Sequence, residues 1–173
     1  MKITGALALT FLGCASAHAG DCFEKVRCGG DIVKALVGQH AGAEPVAKIE
    51  ARHKDLNLKD LGADEVSDSI SSISWRICGT EFVVLEDNRN STVHDVLQVP
   101  SHSASHREFL GSCKLKGKPM PGLVFAILAD QTRQKELPAD AAWKIDEKAI
   151  RFIKMSPDDL LCPRDGVWDR PAN

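Results

Sequence analysis

Three histidines in one stretch of the chain are of the residue type that binds metal ions. His94 lies in a strand-like segment, and His102 and His106 lie four residues apart in the polar stretch Ser101–His106. Neutral imidazole is a common ligand of Zn²⁺, and residues four apart share one face of a helix. The spacing therefore predicts a metal site formed by His94, His102 and His106.

A solvated loop is the alternative interpretation of this stretch, and we favour it. A serine-rich sequence after Pro100 is typical of a surface loop. No glutamate lies between His102 and His106 as it does in the helical His-Glu-x-x-His zinc motif, and the sequence indicates no fourth ligand.

A serine, a histidine and an acid also occur close together here. Ser103, His106 and Asp95 are the residue types of a hydrolytic triad, but a triad is defined by geometry and not by order in the chain. The Gly-x-Ser-x-Gly elbow, the Walker loop and the dinucleotide fingerprint do not occur in the sequence. A hydrolase is therefore the weakest of our functional hypotheses, no catalytic residue is assigned, and no cofactor is predicted.

The first residues of the chain have the pattern of a secretory signal peptide. Lys2 gives a positive start, Ile3–Leu12 is mostly apolar, and Ala17 and Ala19 are small residues before a cut at Gly20. We expect residues 1–19 to be removed and residues 20–173 to form a single exported globular domain with an irregular C-terminal tail. The predicted location is periplasmic or secreted.

A bacterial lipoprotein signal is the competing interpretation of the same segment. In that case Cys14 would carry a lipid anchor, but Phe11 and Leu12 match the usual residues before such a cysteine poorly. We favour the cut after Ala19. Cys14 is then the one cysteine of six that is lost with the leader.

The remaining cysteines predict disulfide bonds, because exported proteins fold under oxidising conditions. Their number is odd, so at most two internal bridges can form and one thiol is left over. We expect Cys22 to pair with Cys28 and Cys113 to pair with Cys162, which leaves Cys78 free. Spacing alone does not determine connectivity, so other pairings stay open.

The segment Ser69–Glu86 is expected to form the centre of the fold. Ile73, Trp75 and Ile77 alternate with polar residues as in a half-buried strand, and Phe82–Leu85 is a short apolar run. Gly79 between them can adopt the positive φ that tight hairpins require. The pattern predicts a hairpin about Gly79 with Trp75 buried in the core.

The other elements suggest a small mixed domain. Asp31 is placed to cap a short helix that ends near Gly38, and Trp143–Ile145 and Ile150–Met155 form a second predicted hairpin. The pattern of Val46–Leu61 is ambiguous between helix and strand. The fold class predicted is α+β, with one N-terminal helix packed on a mainly antiparallel, hairpin-connected sheet of about six or seven strands.

Composition narrows the possible partners. The chain has 173 residues, 43% of them hydrophobic, which is enough for one packed core. Loss of residues 1–19 removes Lys2 and no acid, leaving 21 basic against 24 acidic residues and a net charge of −3 with neutral histidines. No basic cluster is interleaved with aromatic residues, so nucleic acid is not an expected partner. No transmembrane segment is predicted after the leader.

These observations favour a non-enzymatic exported binding or inhibitor-like domain, whose partner is an unidentified protein or small ligand. The alternative is a periplasmic metal-binding protein that uses the loop histidines.

Overall fold

The computed structural model describes residues 21–42, 44–103, 105–129 and 134–166. The predicted signal peptide, Cys14 and Trp168 lie outside these residues. Within these ranges the chain forms two short helices, two 3-10 turns, and eleven strands in two antiparallel sheets. None of the helices in the described part of the chain has the length and apolar character needed to cross a bilayer.

The elements follow one another in a simple order. The helices and 3-10 turns are α1 Ile32–Leu36, α2 Val46–Arg52, Lys54–Leu56 and Arg164–Gly166. The strands are β1 Lys59–Ser67, β2 Ile70–Ile77, β3 Thr80–Asp87, β4 Thr92–Gln98, β5 His106–Gly111, β6 Lys114–Leu115, β7 Lys118–Pro119, β8 Val124–Ala129, β9 Glu136–Asp146, β10 Arg151–Met155 and β11 Leu160–Pro163.

The predicted central hairpin is confirmed. Strands β2 and β3 pair antiparallel from Ile77 and Thr80 at the turn to Ile70 and Asp87 at the far end. Cys78 and Gly79 both have positive φ, 53° and 83°, as the tightest hairpin turns require. Trp75 is buried, with 7% of its surface exposed.

The first sheet is a four-stranded meander in the order β1-β2-β3-β4. One of its faces carries Trp75, Ile77 and Phe82, which pack against the N-terminal segment through Phe23 and Leu36. The ring of Phe23 meets the indole of Trp75 edge to face, with centroids 5.0 Å apart. The N-terminal segment therefore covers this side of the sheet.

The second sheet is built around β9. Strand β8 pairs with one edge of β9, and the other edge is shared by β11 near Leu137 and β10 near Trp143. The predicted hairpin that joins Trp143–Ile145 to Ile150–Met155 is confirmed by the β9–β10 pairing. The C-terminal region predicted to be irregular contributes strand β11.

The two sheets pack face to face, which corrects the prediction of a single sheet. Val83 belongs to one buried cluster with Phe125, Ile127 and Trp143, and Leu85 belongs to another with Ile145. The face of β2 that carries small polar residues is thus covered by the second sheet. The continuous apolar run Phe82–Leu85 of β3 suits a strand buried on both faces, whereas the alternation in β2 predicts only one buried face. The outer face of the second sheet buries a separate cluster around Phe109, Leu128 and Leu137.

The helical part also differs from the prediction. Two short helices precede the sheets instead of one, because the undecided segment Val46–Leu61 divides into α2, a 3-10 turn and the start of β1. Asp31 caps α1 by accepting a hydrogen bond from the amide of Lys34 at 3.0 Å.

Disulfide bonds join Cys28 to Cys78 and Cys113 to Cys162. The expected Cys22–Cys28 pair is not formed, and Cys22, not Cys78, is the free thiol among the described cysteines. The physical reason is that Cys22 is buried in the cluster beneath the first sheet while Cys28 lies exposed. The turn of the central hairpin instead brings Cys78 to Cys28.

Candidate functional site

Charged residues lie close together near the turn of the β2–β3 hairpin, at one end of the space between the two sheets. Ser72 and Ser74 are 2% and 3% exposed on the face of β2 that meets the second sheet. Arg76 follows on that face and lies opposite Glu81 of β3. Their side chains form an ion pair at 2.6 Å. Along this face of β2, the buried hydroxyls of Ser72 and Ser74 are therefore followed by the Arg76–Glu81 ion pair, close to the hairpin turn.

Strand β5 adds a second carboxylate to this region. Glu108 is 6% exposed, and its side chain lines a crevice together with Ser72, Ser74, Leu110 and Phe125. The crevice is too narrow to hold a water molecule. A carboxylate so far from bulk water is stable only beside groups that compensate its charge or donate hydrogen bonds to it. An organic ligand cannot enter the crevice, so any ligand must bind at its mouth.

His102 completes a group of three potential metal ligands. One ligand atom from each of Glu81, His102 and Glu108 lies within 4.8 Å of the other two. We call these three residues the His102 cluster. His102 is exposed, and its Nδ1 lies 3.0 Å from the carbonyl oxygen of Pro100. Because a carbonyl only accepts hydrogen bonds, Nδ1 carries a proton and the lone pair of the neutral ring lies on Nε2.

A second arrangement lies next to this cluster. Ser103 Oγ is 2.7 Å from His106 Nδ1, and His106 Nε2 is 2.7 Å from Asp140 Oδ2. We call these three residues the His106 relay. An ionised carboxylate only accepts, so Nε2 carries the proton and Nδ1 accepts from the serine hydroxyl. The direction of these bonds is the one that lets a histidine act as a general base toward a serine.

A β-bulge places Asp140 in the relay. Ile127 of β8 pairs with Ala141 and Leu128 pairs with Ala139, so Asp140 is the extra residue on β9. Bulges redirect side chains in this way. His106 pairs with Ala129 on the intervening strand. The short side chain of that alanine leaves room for His106 and Asp140 to meet across β8.

The relay is open to water. Ser103 is exposed, and the side chains of His106 and Asp140 are 23% and 50% exposed. Ser105 Oγ also lies 3.2 Å from His106 Nδ1 and competes with Ser103 for it. The arrangement can transfer a proton, but solvent weakens the polarisation of its hydrogen bonds compared with a buried triad.

The three histidines proposed from the sequence have different partners in the structure. His94 Nε2 lies 3.9 Å from Asp87 Oδ2, His106 belongs to the relay, and His102 joins two glutamates. They do not form one ligand group among the described residues. The pKa of Asp87 is lowered to about 2, first by hydrogen bonds from Arg89 and to a smaller extent by His94.

Asp95 serves the fold and is not the acid of the relay. Its Oδ2 accepts a hydrogen bond from the amide of Phe152 in β10 at 2.7 Å, and its Oδ1 accepts from the amide of Val96 at 2.9 Å. The carboxylate therefore connects the edge of the first sheet to the second.

Another histidine–aspartate pair lies at the N-terminal end of the described chain. Asp21, whose side chain is 1% exposed, accepts from His53 Nε2 at 2.8 Å, from the amide of Phe23 at 3.0 Å and from Arg52 at 2.5 Å. Burial acts to raise the pKa of Asp21, but these bonds outweigh it and the pKa lies below its ordinary value. The network connects the start of the described chain to the end of α2.

The free thiol of Cys22 is buried in the cluster beneath the first sheet. Burial, and then the nearby charges of Asp21 and Glu86, raise the pKa of Cys22 to about 12. At neutral pH the side chain is a thiol and not the reactive thiolate.

Sequence reasoning missed four residues of this region: Arg76, Glu81, Glu108 and Asp140. A turn predicted at Gly79 and Thr80 would have placed Cys78 opposite Glu81, whereas the turn formed at Cys78 and Gly79 places Arg76 there. Glu108 is a single acid beside Phe109 in a strand-like segment, which is a weak signal of a buried polar role. Asp140 is placed by a β-bulge, and no local sequence pattern predicts that bulge.

Comparison with known proteins assigns no relationship to this chain. No family model, curated protein or solved structure matches it at a significant level. Its function is therefore inferred from the chemistry of its own residues.

Proposed function

We propose that this protein is a non-enzymatic exported binding domain that takes a cationic ligand at the open end of the layer between its sheets. The observation that carries the proposal is the convergence of Glu81, His102 and Glu108 within 4.8 Å, with Glu108 also lining the crevice. The ligand is a small cation or a positively charged group on another protein. Export rests on the leader pattern of residues 1–19 and agrees with the two disulfide bonds.

The charge of the region favours a cation. Glu81 and Glu108 contribute two carboxyl groups and Arg76 one positive charge, so the group is negative when both carboxyl groups are ionised and His102 is neutral. Asp140 of the adjacent relay adds a further negative charge near its exposed surface. An anionic ligand would have to approach these carboxylates at a cost, whereas a cation would be attracted.

The first experiment compares two charged probes. Residues 20–173 are titrated with a lysine-rich and a glutamate-rich peptide at low salt, with binding followed by amide NMR shifts. We expect shifts around β3, β5 and the 99–105 loop with the basic peptide only, decreasing as salt screens the charges. Glu81→Gln should weaken the interaction, and Glu147→Gln, an exposed acid on the β9–β10 turn, should not. Binding of the glutamate-rich peptide as strong as that of the lysine-rich peptide would contradict the proposal.

A hydrolase is the second candidate, favoured by the Ser103–His106–Asp140 hydrogen bonds. In that role Ser103 Oγ would attack an ester carbonyl while His106 Nδ1 takes the hydroxyl proton. The test is turnover of p-nitrophenyl acetate by residues 20–173 and by the Ser103→Ala and Ser101→Ala variants. A binding domain gives the same slow background for all three proteins. Loss of activity in Ser103→Ala alone would establish the hydrolase and refute a non-enzymatic role.

A further inference from the structure

We propose that the His102 cluster is a zinc-binding site, with His102 Nε2 and one carboxylate oxygen each of Glu81 and Glu108 as the ligands. This inference rests on the proposed function and gives its cationic ligand an identity. It differs from the three-histidine site predicted from the sequence, because two ligands come from strands of the two different sheets.

The spacing of the three ligand atoms suits one ion. Zinc binds histidine nitrogen and carboxylate oxygen at about 2.0–2.2 Å, so two ligands of one tetrahedral ion lie roughly 3.3 to 3.6 Å apart. One ring nitrogen of His102 and one carboxylate oxygen of each glutamate already lie within 4.8 Å of one another. Small side-chain rotations therefore bring all three to bonding distance without movement of the strands.

The hydrogen bond of His102 is an independent indication of a metal ligand. Histidines that bind metals almost always donate their other ring proton to a carbonyl or a carboxylate, which fixes the ring and its tautomer. His102 Nδ1 makes such a bond to the carbonyl of Pro100 at 3.0 Å. The bond leaves the lone pair on Nε2, which is the form of the ring that coordinates zinc.

The two glutamates are held in place before any ion arrives. Glu81 lies on β3, and its ion pair with Arg76 at 2.6 Å restrains its side chain. Glu108 lies on β5 and is buried to 94% against the crevice wall. Two carboxylates so close together repel each other, and a divalent cation between them replaces that repulsion with attraction. Only His102, on the loop, has to adjust.

The donor set selects the kind of ion. Zinc accepts both donor types of this cluster, an imidazole nitrogen and carboxylate oxygens. Calcium needs about six to eight oxygen ligands, more than these side chains supply, and magnesium prefers oxygen ligands to an imidazole nitrogen. The exposed side of His102 faces solvent and leaves the fourth position to water or to a group of a partner.

The experiment is a calorimetric titration of chelator-treated residues 20–173 with ZnCl₂. We expect one zinc per chain in wild type and a loss of affinity of about tenfold or more in His102→Ala and in Glu108→Gln. His94→Ala is the matched control, since His94 is an exposed histidine on a neighbouring strand with a different partner. Cys22→Ser should also bind normally, which excludes the thiol as the ligand.

A second measurement distinguishes a loss of zinc binding from a loss of folding in the variants. In ¹⁵N NMR of the imidazoles, zinc should shift Nε2 of His102 and leave the nitrogens of His94 in place. Absence of zinc binding by the wild type, or undiminished binding by His102→Ala, overturns the site. If zinc fails to bind while the lysine-rich peptide still does, only this inference is lost. If neither probe binds, the proposed function is lost with it.

Discussion

Replacement of Asp95 by alanine tests whether this carboxylate holds the two sheets together. The variant loses the acceptor of the Phe152 amide at 2.7 Å and that of the Val96 amide at 2.9 Å. A hydrogen bond to a charged group contributes about 1.5–3 kcal/mol to stability. Val96 is the adjacent residue in the same strand, so we count only the bond to Phe152. Because the site is partly buried, water replaces part of this hydrogen bond in the variant. We therefore expect the free energy of unfolding to fall by about 2 kcal/mol.

The assay is reversible unfolding of residues 20–173 by heat and by denaturant. For a domain of this size 1 kcal/mol shifts Tm by about 2–4 °C, so Asp95→Ala should melt roughly 4–8 °C below the wild type. Asp95→Asn keeps one oxygen for the Phe152 amide but no charge, and should lose about half as much. Glu147→Ala, an exposed acid nearby in the β9–β10 turn, is the control. A stability of Asp95→Ala within about 0.5 kcal/mol of wild type would refute the role assigned to this residue.

Three further predictions concern the core, the free thiol and the N-terminal network. Leu85→Ala should cost about 2–5 kcal/mol in denaturant unfolding, because Leu85 is fully buried between the sheets, whereas Val37→Ala at a 39% exposed position should change stability by less than about 0.5 kcal/mol. Ellman's reagent should find no reactive thiol in native residues 20–173 and one, from Cys22, after denaturation; two or more would contradict the disulfide pairing. Asp21 has a lower pKa folded than unfolded, so its stabilisation is complete above the ordinary pKa of 3.8 and is lost as pH falls through the folded value. Denaturant midpoints at pH 7 and pH 3 should therefore differ more in wild type than in Asp21→Asn, and equal differences would exclude this role.

Part of the candidate site could be predicted from the sequence. The polar stretch Ser101–His106 was singled out as the region with chemistry, and His102 and His106 both take part in the arrangements found there. Their partners were not predicted, since Glu81, Glu108 and Asp140 come from strands remote in the chain. A ligand group formed across two sheets depends on how the sheets are stacked, and residue spacing within one segment contains no information on that.

Local patterns determined the two hairpins. The alternation around Trp75, the glycine at position 79 and the apolar run Phe82–Leu85 require only neighbouring residues to adopt one pleat and one turn, so the β2–β3 pairing was predictable. The same holds for the hairpin of Trp143. In both cases the hairpin depends on the alternation of side chains and on the turn residues. These lie within a few positions of one another, so they can be identified from a single sequence.

Only the tertiary structure decided what covers each face and which cysteines meet. Ser72 and Ser74 have the composition of a solvent-facing side, yet they are buried because a second sheet packs on them. Cys28 bonds to Cys78 across 50 residues because the hairpin turn lies against the N-terminal segment. Sheet stacking and chain closure depend on the total apolar surface that the whole chain can bury, so no local pattern of residues specifies them.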